Sequence, residues 1–172
     1  MRYYKAIIST LVFLFFVVQT NAQTKATVIR IVDADTYQVL SNAKVFTVRL
    51  ANVDAPELKQ NFGAEATQLV SELIYGKQVI IEVQGKDRYN RTIASITING
   101  KALDSILISN GWAWHYAEYN HEKKLAAYQN EAVKFKMGLW YCGSNKVCPP
   151  WVFRSLNIKN RTVYCSGCKK FS

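Results

Sequence analysis

The chain has 172 residues, 49% of them hydrophobic, and a formal net charge of +10 from 22 Lys+Arg against 12 Asp+Glu. That length suits one domain, the apolar fraction excludes a disordered chain, and nothing in the composition suggests collagen or a coiled coil. The charge favours a polyanionic partner, nucleic acid or an acidic membrane surface, without choosing between them.

The first segment reads as a leader. Arg2 and Lys5 precede Ala6–Val18, a stretch of 13 residues with no charge, and Thr20 and Ala22 place small residues before a cut after Ala22. This is a secretory signal peptide pattern, and it sends the mature chain to the periplasm or outside the cell. A transmembrane anchor is the weaker reading, because a helix of that length rises only about 20 Å against a hydrocarbon core of about 30 Å. No later stretch is apolar for long enough to span a bilayer, so no stable membrane association is expected after the cut.

Three strands follow at Ala26–Val32, Thr36–Leu40 and Val45–Leu50, each rich in β-branched residues, with Ser41-Asn42 as the hairpin turn between the second and third. Ala66, Leu69, Val70, Leu73 and Ile74 line one helix face, and Gly76 stands where a C-terminal cap is expected. Strands at Gln78–Val83 and Thr92–Ile98 flank the polar loop 85–90, and Asn99-Gly100 signals a turn. Ala102–Ser109 reads as a short helix closed by Gly111. Leu125, Tyr128, Ala132 and Phe135 form the apolar face of a third helix closed by Gly138. Five strands with a helix between the third and fourth predict an α+β fold, a Greek-key barrel of the OB type with three packed helices. The domain plan is a leader at 1–22, the barrel domain at 23–141 and a cysteine-bearing extension at 142–172.

Cys142, Cys148, Cys165 and Cys168 all lie in that extension. In an exported chain they read first as two disulfides, with the connectivity open. A structural zinc site is the alternative, since Cys165-x-x-Cys168 has ligand spacing while Cys142-x5-Cys148 is looser than usual.

Three polar clusters interrupt the apolar elements: Asp33-Ala34-Asp35-Thr36, then Arg49 with Asp54-Ala55-Pro56-Glu57, then Asp87-Arg88-Tyr89-Asn90-Arg91. Singly, each reads as an ordinary turn or surface ion pair. Together they supply hard oxygen ligands suited to Ca²⁺ at Asp35, Asp54 and Glu57, and guanidinium forks that match phosphate oxygens at Arg49 and Arg91. Carboxylates for a cation and a base, beside two arginines, are what phosphodiester hydrolysis requires.

In these stretches the sequence resembles the staphylococcal (micrococcal) nuclease family. Weaker matches continue at Phe62-Gly63-Ala64-Glu65-Ala66, Asn110-Gly111-Trp112-Ala113 and Gly138-Leu139-Trp140, so the likeness covers roughly residues 26–140 in the family's order. The resemblance implies an OB-type barrel with three helices. It also implies Ca²⁺-dependent endonucleolytic cleavage of DNA and RNA, single strands preferred, leaving 3′-phosphates, by a monomer. Carried over by position, Asp35 and Asp54 would hold Ca²⁺ through carboxylates and Ala55 through its carbonyl. Glu57 would orient and deprotonate the attacking water, and Arg49 and Arg91 would bind the scissile phosphate.

The chain departs from the family pattern at Ala34 and Asn90, both often glycine there. The segment between Glu57 and Ala66 is shorter than in the best-known member, and the cysteine extension lies outside that member's pattern. Arg88 and Tyr89 would lie near the terminal phosphate or sugar of a bound nucleotide, and Tyr116 and Tyr119 in the zone where the family stacks a base. Against that, Trp112, Trp114 and Tyr116 also read as core or shell aromatics. His115 and His121 read as surface residues. Lys123, Lys124, Lys134 and Lys136 read as a basic face that could draw in a polyanion. The alternative function is a non-catalytic nucleic-acid-binding OB module, which the retained carboxylates and arginines disfavour.

Overall fold

The structure, a computed structural model, describes residues 23–60 and 62–140. The leader and the extension with its four cysteines lie outside the described residues.

Three long strands open the fold: β1 (Gln23–Asp33), β2 (Thr36–Ser41) and β3 (Lys44–Leu50). A short β4 (Val53–Asp54) precedes α1 (Gly63–Ile74), and β5 (Gln78–Lys86) and β6 (Thr92–Ile98) follow. The last part holds β7 (Lys101–Ala102), α2 (Leu103–Ser109), β8 (Trp114–His115), α3 (Lys123–Lys134) and a 3₁₀ turn at Gly138–Trp140. The strands run in the order β3-β2-β1-β5-β6, and a parallel pairing of β3 with β6 closes them into a five-stranded barrel. With its three helices this is the α+β OB-type architecture expected from the sequence. Register shifts in β1 and β5 bend those strands as closure requires.

Alternation fills the barrel. On β6, Thr92, Ala94, Ile96 and Ile98 point in while the residues between them are half-buried. Val28, Tyr37, Val39, Val48, Leu50, Val79 and Ile81 supply the other inward positions. From outside, α1 buries Ala66, Val70 and Ile74, and α2 buries Leu103, Leu107 and Ile108. Among the described residues, no helix is long and apolar enough to cross a membrane.

The turns follow local chemistry. Asn99-Gly100 has φ of 49° and 75°, both left-handed, as a two-residue hairpin turn of type I′ needs. Gly76, with φ 70°, is the third residue of a turn in which the Lys77 N–H donates to the Ile74 carbonyl.

Some expectations need correction. The β2–β3 turn is Asn42-Ala43 rather than Ser41-Asn42, because Ser41 is still paired with Lys44. Phe135 is 67% exposed rather than on the buried face, since α3 stops at Lys134. Lys136, not Gly138, closes α3: at φ 54° it lets its own N–H reach the Val133 carbonyl and that of Met137 reach Ala132. Gly138 instead packs against Gly111, backbone on backbone, where the Leu139 N–H donates to the Gly111 carbonyl at 2.7 Å. The strands β4, β7 and β8 have two residues each, too few to show a periodicity in the sequence.

Candidate active site

The site gathers where β1 turns into β2 and β3 gives way to β4. Asp35 precedes β2, and Thr36 pairs with Arg49 across the β2–β3 ladder. The Leu50 N–H donates to the Asp35 carbonyl at 2.8 Å, which fixes the turn against the end of β3. Arg49 lies on the face opposite to buried Val48 and Leu50, so its side chain stays outside the packed interior.

That guanidinium is shared. Nη1 lies 3.0 Å from Asp35 Oδ2 and donates to the carbonyls of Val53 and Leu50 at 3.0 and 3.1 Å; Nη2 donates to Asp54 Oδ1 at 2.9 Å. Asp35 is 4% exposed. It also accepts the Ala55 N–H at 2.6 Å and the Thr36 hydroxyl at 3.0 Å. Burial pushes the Asp35 carboxyl well above the usual range; Arg49 pulls it back, and Asp33 and Asp54 push with burial. Burial opposes the charge on Arg49, but Asp35 and Asp54 outweigh it and the guanidinium stays a cation. The Tyr37 phenol, raised by burial and by Asp35, stays neutral and donates to the Ala34 carbonyl.

Arg49 therefore contacts both Asp35 and Asp54, and Asp35 also contacts Ala55. Glu57 is not among these contacts. It is exposed on the following loop, where its N–H donates to Gln60 Oε1 at 2.9 Å and its carbonyl accepts the Gln60 N–H at 2.7 Å. Gly63 opens α1 directly against the Glu57 carbonyl.

Arg91 enters from the β5–β6 loop. The parallel register sets Arg49 beside Ile93, so Arg91 stands one strand over and about 7 Å along. Asp87 holds it by a 2.7 Å contact from Nε, and the Asp87 carboxylate also accepts the N–H of Arg91 and of Tyr89. Slight burial pushes the Asp87 carboxyl up, but those three donors prevail and hold it below the usual range. Asn90 has φ 62°, the conformation its replacement of glycine requires. Ala34 has no such φ, so it fits without strain. The Arg88 and Arg91 guanidinium carbons lie 4.8 and 5.6 Å from the ring centre of Tyr89, which is 65% exposed.

Tyr116 and Tyr119 follow β8, whose Trp114 pairs with Asp54 and whose His115 pairs with Val53. The Tyr116 and Tyr119 ring centres are 4.8 Å apart and tilted by 57°, with Tyr119 largely exposed. Trp114 is core, and Trp112 packs against the core as a shell residue. His115 is buried, which corrects its placement at the surface, whereas His121 is exposed. Lys123, Lys124, Lys134 and Lys136 are all exposed, with Lys136 beyond the helix end.

Among the described residues, no three His, Cys, Asp or Glu side chains converge as a metal cage. The oxygen pair does converge: Asp35 and Asp54 face one guanidinium at about 3 Å each. Two carboxylates and a main-chain carbonyl make a hard donor set suited to Ca²⁺, which takes its remaining ligands from water and substrate. Asn52, Gln60, Asp104 and Asn120 also tie these segments together. Of these, only Asn52 carries a signal in the sequence, an Asn before Val-Asp at the end of a strand, where a left-handed turn residue fits.

Comparison with known proteins agrees with this picture. The family model described as staphylococcal nuclease homologue matches residues 47–142. An uncharacterized endonuclease of Escherichia coli is 36% identical over 128 residues, covering 74% of this chain and 82% of the relative. A micrococcal nuclease of Shigella flexneri is 32% identical over 152 residues, covering 82% of this chain and 86% of the relative. The staphylococcal-like nuclease CAN1 of Arabidopsis thaliana is 37% identical over 112 residues, 65% of this chain and 34% of that protein. Fold and relatives together define the class as nucleic-acid hydrolases. Within that class, the chain belongs to the staphylococcal nuclease family.

Proposed function

We propose that the protein is a Ca²⁺-dependent endonuclease that hydrolyses phosphodiester bonds of DNA and RNA, preferring single strands, and leaves 3′-phosphates. The observation that carries this reading is the Arg49 guanidinium held between the Asp35 and Asp54 carboxylates, on the strand end that leads to Glu57. Asp35, Asp54 and the Ala55 carbonyl would hold Ca²⁺. When bound, the ion supplies charge neutralisation to the phosphate and lowers the pKa of a water.

The rest falls to the chain's own side chains. Glu57 takes a proton from the attacking water as its oxygen bonds to phosphorus. The bond from phosphorus to the 5′-oxygen breaks, and that oxygen takes a proton from Arg91 or from solvent. Arg49 and Arg91 hold the phosphoryl oxygens, where preorganised donors favour the transition state over the ground state. Tyr116 and Tyr119 would stack a base, and Arg88 and Tyr89 would contact the terminal phosphate or sugar. We read the protein as an exported monomer, cut after Ala22, that meets its polyanion in the periplasm or outside the cell.

The test is digestion of single-stranded DNA by the mature protein with Ca²⁺ and then with a chelator. Cleavage is expected only with Ca²⁺, with 3′-phosphate ends. Cleavage that survives chelation removes the cation from the mechanism. Binding without cleavage in either condition favours the non-catalytic module. Glu57→Gln is expected to lower turnover by about 10²–10⁴-fold while nucleic-acid binding persists.

A further inference from the structure

Asn52 lies two residues before Asp54, in the turn from β3 to β4, with φ 67°. Its side chain is the middle of a directed chain of hydrogen bonds. His115 Nε2 donates to Asn120 Oδ1 at 3.2 Å, Asn120 Nδ2 donates to Asn52 Oδ1 at 2.9 Å, and Asn52 Nδ2 donates to Asp104 Oδ2 at 2.9 Å. One end fixes the direction: Asn120 Oδ1 also accepts the Glu122 N–H at 2.8 Å, so the amide oxygen faces His115 and Nδ2 faces Asn52.

The main chain adds a second tie. The Tyr116 N–H donates to the Asn52 carbonyl at 2.8 Å, and the N–H groups of Tyr119 and Asn120 both return to the Tyr116 carbonyl at 3.1 Å. One residue thus grips both ends of the 116–120 turn. That turn carries the Tyr116–Tyr119 pair, and the strand Asn52 leads into carries Asp54.

We propose that Asn52 is a positioning residue that locks the Tyr116–Tyr119 pair to the strand bearing Asp54, so that a stacked base and its phosphate are held at one spacing. Stacking energy places the phosphate only if the platform cannot drift relative to the carboxylates. The proposal rests on the nuclease reading above.

The test uses the mature protein and a fluorescently labelled oligothymidylate. Its affinity is read by anisotropy in chelator, and KM and kcat are read with Ca²⁺. Asn52→Gly keeps the carbonyl and tolerates the left-handed φ, but removes both side-chain bonds. Kd and KM are expected to rise about tenfold, and kcat to fall about 10–10²-fold as the phosphate drifts from the carboxylates. Asn52→Asp sets a carboxylate against Asp104 and should do the same or worse. Adding Asp104→Asn restores a donor to that contact and should recover most of the loss.

Wild-type Kd and KM in Asn52→Gly overturn the proposal. So does a double variant no better than Asn52→Asp, which also carries the test if Asn52→Gly does not fold. Unchanged Kd in Tyr116→Ala overturns it as well, because the platform would then hold no base. A wild-type protein that neither binds nor cleaves nucleic acid is a different result, and it overturns the nuclease reading itself.

Discussion

Gly63→Ala tests how the fold places Glu57. A Cβ at residue 63 would lie 2.7 Å from the carbonyl carbon of Glu57, closer still to its oxygen, and 3.2 Å from the carbonyl carbon of Leu58. All three are backbone atoms, so no rotamer relieves the clash. Carbon atoms pack comfortably at about 3.5–4.0 Å, so the Glu57 peptide must retreat by about 1 Å. The retreat strains the Gln60 bonds to Glu57 and the 2.9 Å bond from the Gly63 N–H to the Gln60 carbonyl. Overpacking of this kind costs about 1–3 kcal/mol, or a fall in Tm of very roughly 4–15 °C for a domain near this size. A 1 Å misplacement of a group that must meet its water is worth up to about 10²-fold in rate. The assay pairs initial rates on single-stranded DNA at saturating Ca²⁺ with thermal melts. Gly85→Ala is the control, because nothing lies within 4 Å of its added Cβ. It should change stability by less than about 0.5 kcal/mol. A Gly63→Ala variant with wild-type rate and wild-type Tm refutes the steric argument. A lower Tm with an unchanged rate refutes the link from Gly63 to Glu57.

Other predictions concern the ion pairs and one turn. A carboxyl held below its ordinary pKa, as Asp87 is, stabilises the fold above the unfolded value of about 3.9, and that contribution is lost as pH falls through the lower folded value. Asp87→Asn should therefore be less stable at neutral pH by up to about 1 kcal/mol, with the gap closing in acid; a gap constant with pH in urea melts contradicts the assignment. Arg49→Met leaves Asp35 buried without its cation and should cost about 3–5 kcal/mol, and a loss under about 1 kcal/mol would mean the pair is not what holds this corner. Ala43 sits exposed at φ 59° in the β2–β3 turn, so Ala43→Gly should raise stability by about 0.5–1 kcal/mol, and an unchanged urea midpoint counts against that.

Much of the barrel was legible because its strands carry period-two burial and its helices a stripe of buried residues. Thr92–Ile98 emerged with the bounds expected, since alternation and the Asn99-Gly100 turn mark it on both sides. Phe135 misled because the apolar helix spacing continues one residue past Lys134, where α3 stops. His115 misled because a two-residue strand gives no pattern, and its burial comes from pairing with Val53, far away in sequence.

The sequence by itself determined which chemical groups are present and in what order: five strands, carboxylates at 35, 54 and 57, arginines at 49 and 91. Composition, periodicity and spacing are local properties, and they carry that much. Only the tertiary structure decided that Arg49 lies between Asp35 and Asp54, and that Asp87 holds Arg91. It also decided that Gly63 abuts Glu57 and that Asn52 ties the tyrosine turn to the Asp54 strand. These contacts depend on barrel closure and on β4 meeting β8, where residues as far apart as Asn52 and Asn120 meet. No short window of sequence holds both partners of such a bond.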